Sequence, residues 1–386
     1  MGTKERLVNP AAQSSGERRL GAPALLAPVE RLLDHAAREI RLLATLTPRD
    51  AHLERVRLID ELRAGRPATP RWTYAPRFHD DLRRALDSTA EELERGDRTP
   101  LQELYRARAR ELSIEAAICA SAGTIEVGRL AKTRFEALEE EVAKAASALA
   151  TEWLAEPRPS PADEPAVLSD DPDPRSLLSQ MKAAVGRLRL PFMVVASPWL
   201  APLAATGERV ILITAHRLVS DEDIRRTVLH EIDGHARPRA QATLALSSLF
   251  GIGTARGIDD QEGRAVWLEE RGGLLGARRR RQLAARHRAV EAMLEGASFS
   301  DVSQTLIEQH GLDAADAVVI AERAFRGGDG TYPGLGRERV YLESFVRVRG
   351  HLTLHPEDDA VLASGQVAVD AINALRPFLR PSPPLP

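Results

Sequence analysis

Apolar residues recur at helical spacing through most of this chain. Val29, Leu32, Leu33, Ala36 and Ile40 open the pattern, and periodic segments continue over residues 50–62, 78–93, 101–120 and 125–154. An antiparallel helical region over residues 26–156 is the expectation, with Leu101, Leu104 and Leu112 in its core and Tyr105 at the core's edge. Residues 1–25 mix Pro, Gly, Ser and charge without period, which predicts a loose tail. Six prolines among acidic and small residues over 157–174 predict a linker or surface excursion. Two β-rich runs, 192–196 and 209–214, have strand length and belong to one small sheet. Beyond Ser220 helical periodicity returns, broken by a Gly-rich loop over 326–336. The fold class is therefore α+β and mostly helical, a helical region packed on a second domain over 175–386.

Composition narrows the function classes. The chain has 386 residues, 43% of them hydrophobic and 28% charged, enough to bury a substantial core. A net charge of −3 gives no global basic field, so nucleic acid is not expected as a partner. Cys119 is the only cysteine, sits among apolar residues and closes no disulfide within the chain. No basic stretch leads into an apolar signal core, and the most apolar window carries Pro191, Pro198 and Pro202, so no membrane association and a cytoplasmic location are expected. Only four of the 53 basic residues are lysine, so a guanidinium suited to a carboxylate is available almost anywhere.

The chemistry concentrates in SDEDIRRTVLHEIDGHARPR, residues 220–239. Ser220 and Asp223 make a capping start, and Ile224, Val228, Leu229 and Ile232 give the following helix an apolar face. That helix carries His230, Glu231 and His235. Histidines four apart lie ~40° around an α-helix, whereas five apart is ~140°, so an unbroken helix would not aim both rings together. Gly234 relieves this by allowing a left-handed or bulged turn just before His235. The pair then suits a metal, and Glu231 falls where a carboxylate takes a proton from water held by that metal. A catalytic zinc needs a third protein ligand. Glu262, 27 residues past His235, supplies it from the first turn of a helix starting at Gln261 and capped by Asp259 or Asp260.

HEIDGH, followed by QEGRAVWLEE, RAFRGG and RERVYLESFVRVRGHL, resembles the QEGLA-motif family, a flavohaemoglobin expression-modulating group whose animal relatives include the microtubule-associated tyrosine carboxypeptidase. LQELYRARARELSIEAAICASAGT is similar to that family's N-terminal region, so the resemblance runs over about residues 76–352. It implies a zinc metallopeptidase domain with an HExxxH helix, metal ligands at His230, His235 and Glu262, a general base at Glu231, Zn2+ as cofactor, and a peptide or protein C-terminus, tyrosine among the candidates, as substrate. Two departures stand out. Arg264 replaces the Leu of QEGLA, and Gly234 adjoins His235 where many relatives place glycine one residue earlier.

An exopeptidase also needs an oxyanion donor and a cation for the terminal carboxylate. Tyr341 is the candidate donor, and Arg326 or Arg337 the candidate carboxylate ligand, with Gly327 and Gly328 allowing close approach. The competing class is a catalytically silent regulatory or binding protein that keeps the fold. Glu231 argues against it, because a structural zinc site has no use for that carboxylate. Three other motifs are set aside: His351 and His355 lack an adjoining Glu, the run 278–281 reads as a solvated arginine face, and GIGTARG misses the dinucleotide spacing. The sequence is silent on oligomeric state.

Overall fold

The computed structural model describes residues 26–96, 98–136, 139–158 and 166–380. The expected tail over 1–25 lies outside the described residues, as do 159–165 of the Pro-rich stretch. Helices dominate, with two small sheets between the N-terminal helices and the remainder. β1 (Ala166–Leu168) pairs antiparallel with β5 (Leu218–Ser220). β2 (Met193–Ser197), β4 (Val210–Thr214) and β3 (Ala204–Thr206) form the second sheet in the order β2-β4-β3, parallel between β2 and β4 and antiparallel between β4 and β3. The two expected strands are thus β2 and β4, each displaced by one residue at its start. β1 is a departure: Ala166–Leu168 lies inside the Pro-rich stretch, yet the six residues without proline between Pro165 and Pro172 suffice for a short ladder.

Ile211 and Ile213 of central β4 are fully buried against Leu177 and Met181 of the helix Leu177–Arg187 and against Ile224, Ile232 and Ala236 of the histidine helix. One face of the sheet thereby fixes the helix that carries the chemistry. β3 is left as an edge strand at the mouth of the site.

The N-terminal helices share a core with the C-terminal half. Leu33, Tyr105 and Leu112 belong to the same apolar cluster as Phe250, Val266, Leu342 and Phe345. Tyr105 is completely buried rather than at an edge, because its hydroxyl finds the Glu30 carboxylate inside the fold. Cys119 is buried and unpaired. The single helix expected over 125–154 is two, Glu126–Phe135 and Glu140–Ala155. Arg134 is drawn into a buried ion network with Glu115 and Asp259, and Arg256 donates to the Glu136 carbonyl, so the chain turns out of the helix there.

Candidate metal centre and active-site cleft

Ser220 caps the helix Asp221–Leu229, accepting from the Asp223 amide at 3.2 Å. The helix continues without a break into a π-helical turn, His230–Ala236, and then into Arg237–Ala242. A π turn closes its hydrogen bonds between i and i+5, so residues five apart stack on one face as residues four apart do in an α-helix. His230 and His235 meet by this means, their ring centroids 5.0 Å apart. Of the two conformations open to Gly234, the bulged one is adopted. Its hydrogen side faces the neighbouring helix, where a Cβ would come within 2.6 Å of Ala265 Cβ.

That neighbour is the helix Gly257–Arg271, which brings in Glu262. It begins four residues before the expected Gln261, with Arg256 in the left-handed conformation at its cap. Asp259 and Asp260 do not cap it. They lie in its first turn, where Asp259 Oδ2 takes Arg134 at 2.7 Å and Asp260 Oδ2 takes Arg347 at 2.7 Å and the Val369 amide at 2.8 Å. Glu262 consequently falls in the second turn, facing the histidines. Gly263 lets the helix lie against Val340–Leu354, since a Cβ there would sit 2.3 Å from the Ser344 carbonyl carbon. Arg264, at the position of departure from QEGLA, turns away to Asp359 at 2.6 Å and the Asp233 carbonyl at 2.9 Å.

The three candidate ligands converge. Glu262 Oε2 stands 3.5 Å from Nε2 of His230 and 3.5 Å from Nε2 of His235. All three ligand atoms lie within 4.8 Å of one another. Tetrahedral ligands at zinc distances stand ~3.3 Å apart, so the set fits such an ion. The outer nitrogens support this assignment. His230 Nδ1 lies 2.7 Å from Glu269 Oε1, and His235 Nδ1 lies 3.1 Å from Gln261 Oε1. Each acceptor holds its proton on Nδ1 and leaves Nε2 with a lone pair directed inward. Glu269 is fully buried and held by Arg279 at 2.8 and 2.9 Å.

Electrostatics follow from this crowding. Burial pushes the His230 imidazole down, and Glu262 and Glu269 outweigh it to leave the group raised to about 9. Burial pushes Glu262 up, yet His235, His230 and Arg337 hold its carboxyl well below the usual range.

Glu231 is buried beside the triad, and its Oε2 accepts a hydrogen bond from Thr206 Oγ1 of β3 at 2.7 Å. Tyr341 is buried at the start of its helix, with Arg323 Nη2 3.4 Å from the hydroxyl. Burial raises the phenol's pKa, and the Glu262 charge adds to it. Arg337 Nη2 lies 3.3 Å from Glu262 Oε1, while Arg326 makes no ion pair with any described carboxylate. All these residues line one cleft with a volume of about 830 Å³.

The structure also brings in residues that the sequence reading did not select: Glu269, Gln261 and Thr206 around the triad, and Arg279, Arg286 and Arg323 on the cleft wall. Of the run 278–281, expected as a solvated face, Arg278 is exposed while Arg279 and Arg281 are drawn into the fold. Arg279 and Arg280 pair with Glu269 and Glu156, Arg278 with Asp223, and Arg281 donates to backbone carbonyls. His351 engages Asp358 at 2.9 Å. Among the described residues no helix is long and apolar enough to cross a membrane.

No curated protein matches the sequence. Among solved structures, the crystal structure of a candidate lipoprotein from Colwellia psychrerythraea is 14% identical, with a TM-score of 0.42 over 74% of this chain. The chain spans 64% of that protein's length. The sequence family described as microtubule-associated tyrosine carboxypeptidase matches residues 62–381, across the helical region, the histidine helix, the Glu262 helix and the Tyr341 helix. Most of the polypeptide lies within that match, as the resemblance of its motifs implied, and the chain belongs to the microtubule-associated tyrosine carboxypeptidase family.

Proposed function

We propose that this chain is a zinc-dependent carboxypeptidase that removes a C-terminal residue from a peptide or protein. The convergence of two imidazole Nε2 atoms and one carboxylate oxygen, at 3.5 Å spacings and beside a further buried carboxylate, carries the reading. Two His and one Glu form a ligand set used by hydrolytic zinc. When bound, the ion supplies Lewis acidity, acidifying water and polarising a carbonyl.

The rest of the reaction falls to the chain's own groups. Glu231 takes a proton from the attacking water on its carboxylate and passes it to the departing amine, so that the peptide C–N bond breaks as a new C–O bond forms. Thr206, donating to Oε2 at 2.7 Å, orients that carboxylate and leaves Oε1 for the water. Tyr341 donates a hydrogen bond from its phenol to the developing oxyanion and keeps its proton. Arg326 or Arg337 receives the terminal carboxylate, which sets the register so that only the last peptide bond reaches the triad. Tyrosine is the released residue in the family's name.

Metal analysis combined with Glu231→Gln tests the reading. Wild-type protein is expected to hold about one equivalent of zinc and to shorten peptides by one residue. E231Q is expected to keep the metal and lose activity by roughly 100- to 10,000-fold, the range for a general base. Unchanged activity in E231Q would overturn the mechanism. Wild-type protein without stoichiometric metal would favour the silent binding protein.

A further inference from the structure

The loop that carries Arg326 is fastened by residues of the N-terminal region. Gly327 takes φ +85°, and a Cβ there would come within 3.0 Å of Leu46 and 3.1 Å of Val127, so the N-terminal helices close directly on its backbone. Its carbonyl accepts from the Gly123 amide at 2.8 Å. Its own N–H donates to the Tyr74 hydroxyl at 3.1 Å, and that hydroxyl donates onward to the Gly328 carbonyl at 2.8 Å. One phenol thus satisfies a donor and an acceptor on two consecutive buried residues, as a neighbouring backbone would.

Tyr74 is itself held in place. The Thr73 carbonyl just before it accepts from the Arg49 amide at 2.8 Å, and three residues later the Arg77 amide donates to the Cys119 carbonyl at 3.2 Å. Its ring lies on Gly123, where a Cβ would come within 3.2 Å of it. Burial raises the phenol's pKa, so at neutral pH it keeps the proton it donates to Gly328.

This arrangement fixes Arg326. The Arg326 carbonyl accepts from the Leu335 amide at 2.8 Å, and the N–H of the same peptide unit is the one bound by Tyr74, so that peptide is clamped at both edges. The Arg326 side chain lines the cleft without an ion pair to any described carboxylate. Arg337, by contrast, has Nη2 3.3 Å from Glu262 Oε1. Of the two arginines proposed for the terminal carboxylate, Arg326 is the one whose charge is not already engaged at the triad.

Resting on the carboxypeptidase reading, we infer that Tyr74 is the positioning residue for Arg326, and that Arg326 receives the terminal carboxylate. The N-terminal region, which supplies no member of the triad, thereby takes part in recognising the substrate's end. Five of the eleven residues over 326–336 are glycine, so the loop has little of its own to hold a guanidinium in place. Without the hydroxyl, the Gly327 N–H loses its partner inside the fold.

Tyr74→Phe keeps the ring on Gly123 and removes only the hydroxyl. A peptide series differing in the last residue finds the member that zinc-loaded wild type cleaves fastest, and that peptide is then compared as the free acid and as the C-terminal amide. The acid-to-amide ratio of kcat/KM reads the grip on the carboxylate, and a loss of folded protein leaves it unchanged. Arg326→Gln is expected to lower the ratio by roughly tenfold or more, as the loss of a charge-assisted contact does. Tyr74→Phe is expected to lower it by roughly three- to tenfold, through KM for the acid peptide with kcat retained. In an R326Q background, Y74F is expected to lower it no further. Calorimetry with zinc-loaded E231Q gives a readout without turnover, in which Y74F weakens binding of the acid peptide and spares the amide. An unchanged ratio in Y74F or in R326Q, or the full Y74F effect on top of R326Q, would overturn the inference and leave the carboxypeptidase standing. No cleavage of any peptide in the series by zinc-loaded wild type would remove the carboxypeptidase and this inference with it.

Discussion

Glu269 sits at the far side of His230 from Glu262, completely buried, where its carboxylate accepts from Nδ1 and pairs with Arg279. Desolvation works against its charge, and Arg279 and His230 more than offset this, holding the carboxyl far below its usual range. A carboxylate so placed fixes the tautomer and raises the basicity of Nε2, which is the atom directed at Glu262 in the candidate triad. Glu269→Gln keeps the shape and an acceptor oxygen but removes the charge, so zinc affinity is expected to fall by roughly 10- to 100-fold, read by chelator competition. Unchanged affinity would assign the tautomer to the backbone geometry instead. His230, Glu231, His235 and Glu262 are legible in the sequence because their spacing is a local property of two helices. Glu269 was legible in principle, since it lies seven residues after Glu262 and so on the same face two turns later. Thr206 and Arg286 carried no such signal; the sheet and a distant helix deliver them, and neither path is written in local spacing.

The π turn at His230–Ala236 depends on how closely it lies against the Glu262 helix. Gly234 is not in a left-handed conformation, so its value is space: a Cβ there would meet Ala265 Cβ at 2.6 Å. Replacing glycine with alanine inside a helix gains roughly 0.5–1 kcal/mol from chain entropy, whereas overpacking two helices costs about 1–3 kcal/mol. The second effect is larger because both contacting atoms are fixed to backbone and neither can swing aside. Gly234→Ala is therefore expected to lower stability by about 1–2 kcal/mol in urea melts. In an Ala265→Gly background the same substitution should cost less, and equal cost in both backgrounds would refute the contact. The long helices were readable from their period, because apolar stripes over three or more turns leave little ambiguity. The π turn was readable only as a conflict, two histidines spaced wrongly for an α-helix with a glycine between them. β1, β3 and β5 were not readable, since three residues contain no alternation to detect.

For the whole molecule, the question is what ties the N-terminal helices to the part that carries the triad. Apolar packing joins the two parts in one core, and Arg134 adds an ionic tie to the Glu262 helix. This guanidinium is 5% exposed and meets Glu111 at 3.0 Å, Glu115 at 2.8 Å and Asp259 at 2.7 Å, joining two N-terminal helices to the first turn of the Glu262 helix. Breaking a buried ionic network by removing one partner costs about 3–5 kcal/mol, far more than a surface pair, because the remaining charges stay desolvated. Arg134→Met is expected to lose stability by that amount at neutral pH, with Arg134→Met/Asp259→Asn recovering part of it. The pH dependence gives the sign. Burial already pushes Glu111 up, and Arg134, then Arg108, pull against it. Without Arg134 its folded-state pKa rises further above the unfolded value, so the folded variant binds protons more readily than the unfolded chain. The deficit in Arg134→Met should therefore shrink as pH falls through the raised pKa and widen again above it. Parallel stability curves for wild type and variant from neutral pH into the acid range would show that the carboxylates around Arg134 are not what its charge holds in place.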